Sequence, residues 1–510
     1  MSQGRAAPPR DSSEGDTRDL ARGAGVNYLG SIARIAPRAA FLVLAGRWYG
    51  QEAFGAYTFA TALVETAAAM SLFGMKRSLF RFMSEGKARG EGVASAIAHG
   101  AALALTMGTL ATLVVVFGVG TFTARLPQAL EPLLVLSLAI PLIVLSDILL
   151  ISIRFTRQMR FEVFARSLIE PITLTAALVV VHIAGADRLG LAWAYVISLA
   201  AAALASVVFF TRVFDLGAVL RARLRWRDAR ALASFSGPTA GYESLLMLAD
   251  KADIFVVSYF LPAGSVGVYG MARQLATITK KIRAGFDRIL PPVFAEAVAA
   301  DDMSWADRQL AMVARWILTA ELLVALVFVF YGDAILWAIE PAFVVGHGVL
   351  VLMMVGDAFN GSLGVSELPF VYLRPWWNVW FGAALLALVT GLGAGLVPAF
   401  GLAGAAAAVL LAVLAVNAAR IAASRAVLAM KVVGADVAKP LIAAGAAAGA
   451  GFTAHWLLTP VPWAARLAAL PLVCGVYFGT LWMLGLEPED RAQVARMTAK
   501  FSRGRAPATP

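Results

Sequence analysis

Apolar residues along this 510-residue chain gather into blocks of about 20, separated by short polar and charged stretches. At 1.5 Å per helical residue, a block of that length spans the ~30 Å hydrocarbon core of a bilayer. A membrane β-barrel would instead alternate apolar and polar positions in segments of about ten residues. The pattern predicts an all-α polytopic membrane protein with fourteen transmembrane helices. Their limits fall near 25–46, 53–74, 94–118, 129–150, 166–186, 190–211, 236–258, 263–286, 310–330, 334–356, 375–397, 400–421, 436–455 and 465–485. The eighth block ends in charges. The tenth is interrupted by Glu340-Pro341, read as a helix break rather than a catalytic group. Between the sixth and seventh blocks, Leu220, Leu224 and Trp226 are interleaved with arginines, which predicts an amphipathic interfacial helix within 216–235. The polar stretch 1–24 reads as a disordered cytoplasmic tail and 487–510 as a second cytoplasmic tail. No secretory pattern follows Arg5 and Arg10, so the first span is expected to act as its own insertion signal.

Composition agrees with this reading. The chain is 60% hydrophobic and 15% charged, with mean hydropathy +0.77; soluble domains carry about 25% charged residues. An ordinary soluble enzyme, a disordered chain and a collagen-like chain are excluded. The net charge of +11 matters through its placement. With the N-terminus in the cytoplasm, 35 of the 43 Lys and Arg fall in cytoplasmic segments, and only Arg47, Arg125, Arg188 and Arg466 fall outside. That bias predicts an inner-membrane protein with both termini cytoplasmic, and nucleic acid is not expected as a partner. Outward loops such as 187–189 and 259–263 are too short for an external domain, and no Gly-x4-Gly-Lys-Ser/Thr phosphate loop occurs. A self-powered pump and an enzyme with a catalytic loop are both disfavoured. Cys474 is the sole cysteine, and His99, His182, His347 and His455 lie on distant spans, so no disulfide, metal site or cofactor is expected.

Two segments match at an offset of 212 residues. Gly50-Gln-Glu-Ala-Phe-Gly-Ala-Tyr follows the first span and Pro262-Ala-Gly-Ser-Val-Gly-Val-Tyr the seventh; Phe82 and Phe294 align further on. Each match opens a span running inward, so the repeat is parallel. It predicts two six-helix lobes, 25–215 and 236–425, with the last two helices, within 426–486, as an addition.

Charges inside the spans carry the candidate chemistry, because each is costly in hydrocarbon. Arg34 and Arg38 share one face of the first span. Asp250, Lys251 and Asp253 lie in the seventh, Arg273 in the eighth, Asp147 at the inner end of the fourth, and Asp357 closes the tenth; Glu65, Glu170 and Glu321 lie within or near spans. By the repeat, Arg38 corresponds to Asp250. One reading is a cationic cavity for an anionic substrate, with Arg34, Arg38, Lys251 and Arg273 binding it. Asp250, Asp253, Asp147 and Asp357 would then be coupling groups for protons or sodium. Arginine suits phosphate because its fork donates two parallel hydrogen bonds. The other reading is internal ion pairing that holds the bundle together.

The run Gly46-Arg-Trp-Tyr-Gly-Gln-Glu-Ala-Phe-Gly-Ala-Tyr-Thr-Phe-Ala, with Leu72-Phe-Gly-Met, resembles the bacterial polysaccharide or O-antigen flippases of the multidrug, oligosaccharidyl-lipid and polysaccharide exporter superfamily. Val266-Gly-Val-Tyr-Gly-Met-Ala-Arg-Gln-Leu and Leu290-Pro-Pro-Val-Phe extend the resemblance. It implies translocation of undecaprenyl-diphosphate-linked oligosaccharide to the periplasmic leaflet by alternating access, drawing on a proton or sodium gradient. It implies basic cavity residues and service to lipopolysaccharide, capsule or exopolysaccharide synthesis. Membrane lipid, a polysaccharide polymerase and glycosyltransferases are the implied partners. Two other functions fit the same pattern: drug or small-molecule efflux by the same fold, which the basic excess opposes, and a membrane scaffold for polysaccharide assembly.

Overall fold

The computed structural model describes residues 35–90, 92–186, 188–287, 290–457 and 469–485. Among them every regular element is a helix and no strand forms. The expected polar tails, residues 25–34 with Arg34, and the outward Arg466 lie outside the described residues. The chain divides into two compact units, Met1–Met247 and Leu248–Pro510.

In the first unit, α1 spans Ile35–Ser71 with one non-helical residue, Gly50, at φ 69°. It is two helices joined at a glycine, where the first two expected spans meet. A Cβ at Gly50 would touch nothing within 4 Å, so the left-handed backbone alone selects glycine there. The stretch between the second and third expected spans forms a helix of its own, α2 (Met75–Ala88). Met75, Leu79 and Met83 recur every fourth residue and are buried as one stripe. Glu85 pairs with Arg81 at 2.8 Å and with Arg89 at 3.0 Å on the opposite side. The unit continues with α3 (Ala94–Phe117), a short helix bent by 42° into α4 (Ala139–Phe155), α5 (Glu170–Ile183) and α6 (Gly190–Thr211). The buried Ser146 and Ser206 hydroxyls join α4 to α6 at 2.9 Å.

The stretch expected to form one interfacial helix over 216–235 is interrupted. Leu216–Arg221 is a single helix capped by Asp215, which accepts from the Gly217 N–H at 2.8 Å. The chain turns extended at Ala222 (ψ 130°), and α7 begins at Trp226 and runs to Phe260. His99 Nε2 on α3 takes the Arg225 backbone N–H at 2.9 Å, which anchors the link.

The second unit holds the rest of α7, then α8 (Ala263–Phe286), the helix Leu290–Ala299, α9 (Met303–Ile339) and α10 (His347–Leu363). It ends with α11 (Pro375–Val427), α12 (Ala438–Leu457) and α13 (Leu470–Met483). Asp302 caps α9 by accepting the Trp305 N–H at 2.9 Å. The tenth span begins later than the sequence suggested. α9 runs to Ile339 because the break comes only at Glu340, held extended (ψ 132°) before Pro341. Asp357 therefore lies inside α10 rather than at its end. α12 and α13 pack on α9 through Phe330, Tyr331, Ala443, Ala447, Val473 and Tyr477.

Among the described residues, seven helical segments are long and apolar enough to cross a membrane, or eight with the bent pair taken as one span. Two of them, α1 and α11, contain a left-handed glycine, Gly50 and Gly401 (φ 58°), and each joins two expected spans. The protein is thus a multi-pass helical membrane protein; fourteen remains the expectation from hydropathy.

At positions matched by the repeat, each unit has its own local structure. Gly50 and Pro262 are matched positions, and a helix breaks at both. Phe41 packs on Tyr57 with ring centroids 6.1 Å apart, while at the matched positions the Tyr269 hydroxyl donates to Asp253 at 2.9 Å. Phe82 and Phe294 both lie in short helices that follow, Met75–Ala88 and Leu290–Ala299.

Candidate functional site

Five of the eight residues singled out by sequence meet in the second unit. Asp250, Lys251 and Asp253 sit on consecutive turns of α7, Arg273 on α8 and Asp357 on α10. The Arg273 guanidinium bonds the Asp253 carboxylate and the Asp250 carbonyl, and lies 3.2 Å from the Asp250 carboxylate. Asp253 also accepts from the Tyr269 hydroxyl at 2.9 Å and from the Ile254 N–H at 2.9 Å. Its side chain is 7% exposed, so this pair sits inside the protein with its hydrogen-bonding capacity filled.

The other side of the cluster is open. Asp250 is 48% exposed and Lys280, two helix turns beyond Arg273, is 46% exposed. The Lys280 ammonium lies 3.7 Å from Asp250 and 3.8 Å from Asp357, and Lys251 lies 4.0 Å from Asp250. Thr279 reaches Asp357 at 3.5 Å. Lys251, Arg273 and Lys280 thus face Asp250, Asp253 and Asp357. The cluster is balanced in charge rather than cationic, and its most exposed cation is Lys280.

A polar seam continues toward the inner end of α10. Arg283 of α8 donates to the Asn360 carbonyl at 2.8 Å, and the Asn417 amide of α11 reaches the Asn360 side chain at 3.3 Å. A cavity of about 320 Å³ opens beside Arg283, Asp287 and Glu367, floored by Leu290, Val365 and Leu368.

In the first unit, Asp147 does not stand alone. It is bridged by Arg166, which also holds Glu170 at 3.0 Å. Arg166 sits in a π-helical stretch, Phe164–Ile169, just before Pro171, a local widening common where a helix serves a site. Arg38 lies in α1, half-buried, where it, Glu65 and Glu170 all act electrostatically on buried Tyr57. The Tyr195 hydroxyl donates to Glu65 at 2.9 Å, and Thr175 donates to the Pro37 carbonyl at 2.8 Å. Arg34 lies outside the described residues.

Sequence reading missed Lys280, Tyr269 and Arg166 as parts of these networks. Lys280 and Arg166 were counted as cytoplasmic charges because they sit where a span ends. Tyr269 served only as a repeat marker. The signal that finds Lys280 is its i+7 spacing from Arg273, which places both on one face of α8.

Long apolar helices, with ion pairs set among them, define the class as a multi-pass helical membrane protein. The chain belongs to the polysaccharide biosynthesis protein family, whose model matches residues 20–298. Solved structures share the fold at low identity. The lipid II flippase MurJ, in an inward closed conformation, superposes with TM-score 0.66 at 15% identity, covering 90% of this chain and 98% of that one. An inward-facing multidrug resistance MATE transporter of the MOP superfamily gives 0.61 at 14%, covering 78% and 97%. A MOP superfamily transporter from Pyrococcus furiosus gives 0.56 at 14%, covering 80% and 94%. No curated protein matches the chain significantly by sequence.

Proposed function

We propose that this protein flips undecaprenyl-diphosphate-linked oligosaccharide from the cytoplasmic to the periplasmic leaflet of a bacterial inner membrane, by alternating access. Membership of the polysaccharide biosynthesis family carries the reading. The fold shared with a lipid II flippase supports it. A diphosphate needs cations that are not already saturated. Lys280 meets that need, because contacts of 3.7 and 3.8 Å at 46% exposure hold it weakly. In the first unit, taken by itself, Arg38 is the candidate from sequence, with Arg34 one turn before it. Lys251 and Arg273 then shape the site more than they bind, since Arg273 is engaged by Asp253 and Asp250.

Both termini are assigned to the cytoplasm by the distribution of Lys and Arg. A polysaccharide polymerase and glycosyltransferases are the partners such a step requires, on the outer and inner faces respectively, whether the product is O-antigen, capsule or exopolysaccharide. The test is depletion in cells that make the glycan. Lipid-linked oligosaccharide should build up where a glycosidase added to the periplasm cannot reach it. If the pool stays accessible and polymer continues at its normal rate, the reading fails.

A further inference from the structure

One carboxylate beside the charged cluster takes no part in it. Glu321 lies midway along α9 and is 0% exposed. Neither of its carboxylate oxygens has a hydrogen-bond partner among the described residues. Its place is made by Gly361 of α10, where a Cβ would overlap the carboxylate. The side chain therefore presses on the α10 backbone at a spot where any larger residue would displace it. On the same stretch of the two helices, Leu318 and Leu322 of α9 and Ala358 of α10 form an apolar cluster, with Val437 and Ala444 packed against it. The neighbouring Ser362 is equally buried, and its hydroxyl has no partner among the described residues.

Charged groups reach Glu321 from two elements. Asp357 acts from α10; Arg283, with Asp287 just beyond the helix end, acts from α8. The two aspartates have the same sign as an ionised Glu321. Arg283 has the opposite sign, but its guanidinium is engaged by the Asn360 carbonyl at 2.8 Å, the Gly364 carbonyl at 3.3 Å and Asp287 at 3.4 Å. From α12 come alanines, while Lys439 at its start bonds the Gly485 carbonyl at 3.0 Å. From α13 comes Tyr477, whose hydroxyl donates to the Thr319 carbonyl at 2.9 Å.

An ionised carboxylate in that position would be desolvated, unpaired and near a second carboxylate, an arrangement proteins avoid. A bound cation removes the conflict. A metal ion needs several oxygen ligands, and among the described residues no group of three or more His, Cys, Asp and Glu could hold one. A proton needs a single carboxylate. We propose that Glu321 is a proton-binding site, loaded in the conformation described here and discharged when the contact between α9 and α10 opens. Discharge sets a negative charge beside Asp357. Asp357 in turn holds Lys280 at 3.8 Å, the cation assigned above to the diphosphate. Proton occupancy at Glu321 is thereby linked to the substrate-binding cluster without either ligand touching the other. The four aspartates named from sequence are in contact with cations or surface; Glu321 is the carboxylate built for a proton.

The site is tested on purified full-length protein in lipid nanodiscs, by infrared difference spectroscopy through a pH titration. The wild type should keep the carbonyl band of a protonated carboxyl free of hydrogen bonds at neutral pH, and Glu321→Gln should lose it. Gly361→Ala, which sets a methyl group against the carboxylate, should shift the band and stands in if Glu321→Gln does not fold. No such band in the wild type, or an unchanged band in Glu321→Gln, overturns the proposal. This measurement uses no substrate, so it is independent of the flippase reading, on which only the coupling role rests. For coupling, an imposed pH gradient should accelerate translocation of lipid-linked oligosaccharide in wild-type proteoliposomes, and the rate in Glu321→Gln should no longer respond to it. An equal response in both proteins, or acceleration by a sodium gradient alone, overturns the coupling role.

Discussion

Removing the Arg273 guanidinium should destabilise the second unit far more than removing its exposed neighbour. Arg273→Ala leaves the Asp253 carboxylate, 7% exposed, with only the Tyr269 hydroxyl and the Ile254 N–H as partners. Breaking a buried ion pair from one side costs about 3–5 kcal/mol, because the other charge stays buried. The two surviving hydrogen bonds place the expected loss near the lower end, about 3 kcal/mol. Asp250→Ala removes a 48% exposed carboxylate from the same guanidinium. Solvent screening limits that pair to about 1 kcal/mol or less. Arg273→Ala/Asp253→Ala removes both buried charges, so the double variant should be more stable than the two single losses added together, by about 1–3 kcal/mol. The assay is denaturant unfolding in mixed micelles, followed by tryptophan fluorescence, on all four proteins and the wild type. An Arg273→Ala protein within about 0.5 kcal/mol of the wild type, or strict additivity in the cycle, would refute the view that this pair is a structural clamp.

Other outcomes follow from the same geometry. Arg38→Ala should slow translocation by about 10–100-fold, the worth of one charge-assisted hydrogen bond of 1.5–3 kcal/mol to phosphate, with Arg38→Lys recovering part; initial rates in proteoliposomes of matched protein content decide it. Gly50→Ala should lower stability by about 1–2 kcal/mol through backbone strain alone, since its Cβ meets no atom, and an unchanged unfolding midpoint would contradict the left-handed assignment at φ 69°. Single cysteines placed in 259–264 of a Cys474→Ala protein should react with an impermeant maleimide added outside intact cells. Those placed in 75–92 should not, and outside labelling of that helix would reverse the topology.

Much of the fold was legible because hydrocarbon imposes its own pattern. A block of 20 apolar residues has few readings other than a span, so most helices fall where hydropathy put them. The misreadings arise where that signal weakens. Hydropathy does not mark α2, because Lys76, Arg77, Arg81, Lys87 and Arg89 outweigh its apolar stripe, and the stripe shows only at helical spacing. The tenth span was set early because apolar residues run on past the break at Glu340. At the site, charge within a span singled out Asp250, Asp253, Lys251, Arg273 and Asp357, and these five lie in one network of ion pairs. That the network is balanced was not legible, because Lys280 sits where a span ends and a topology count assigns it to the cytoplasm. Glu321 was visible as a charge in a span. Its isolation depends on Gly361 forty residues later, and no local pattern records that packing.

The central claim is the transport of a lipid-linked glycan, and a reconstituted system tests it most directly. Purified protein is placed in vesicles carrying undecaprenyl-diphosphate oligosaccharide labelled in its sugar, and a membrane-impermeant glycosidase reports the outward-facing fraction over time. The account predicts that this fraction rises well above the rate in protein-free vesicles, and that the rise is suppressed by Lys280→Ala and by Arg38→Ala. A protein that leaves the label as inaccessible as empty vesicles do, while remaining folded and inserted, would contradict it.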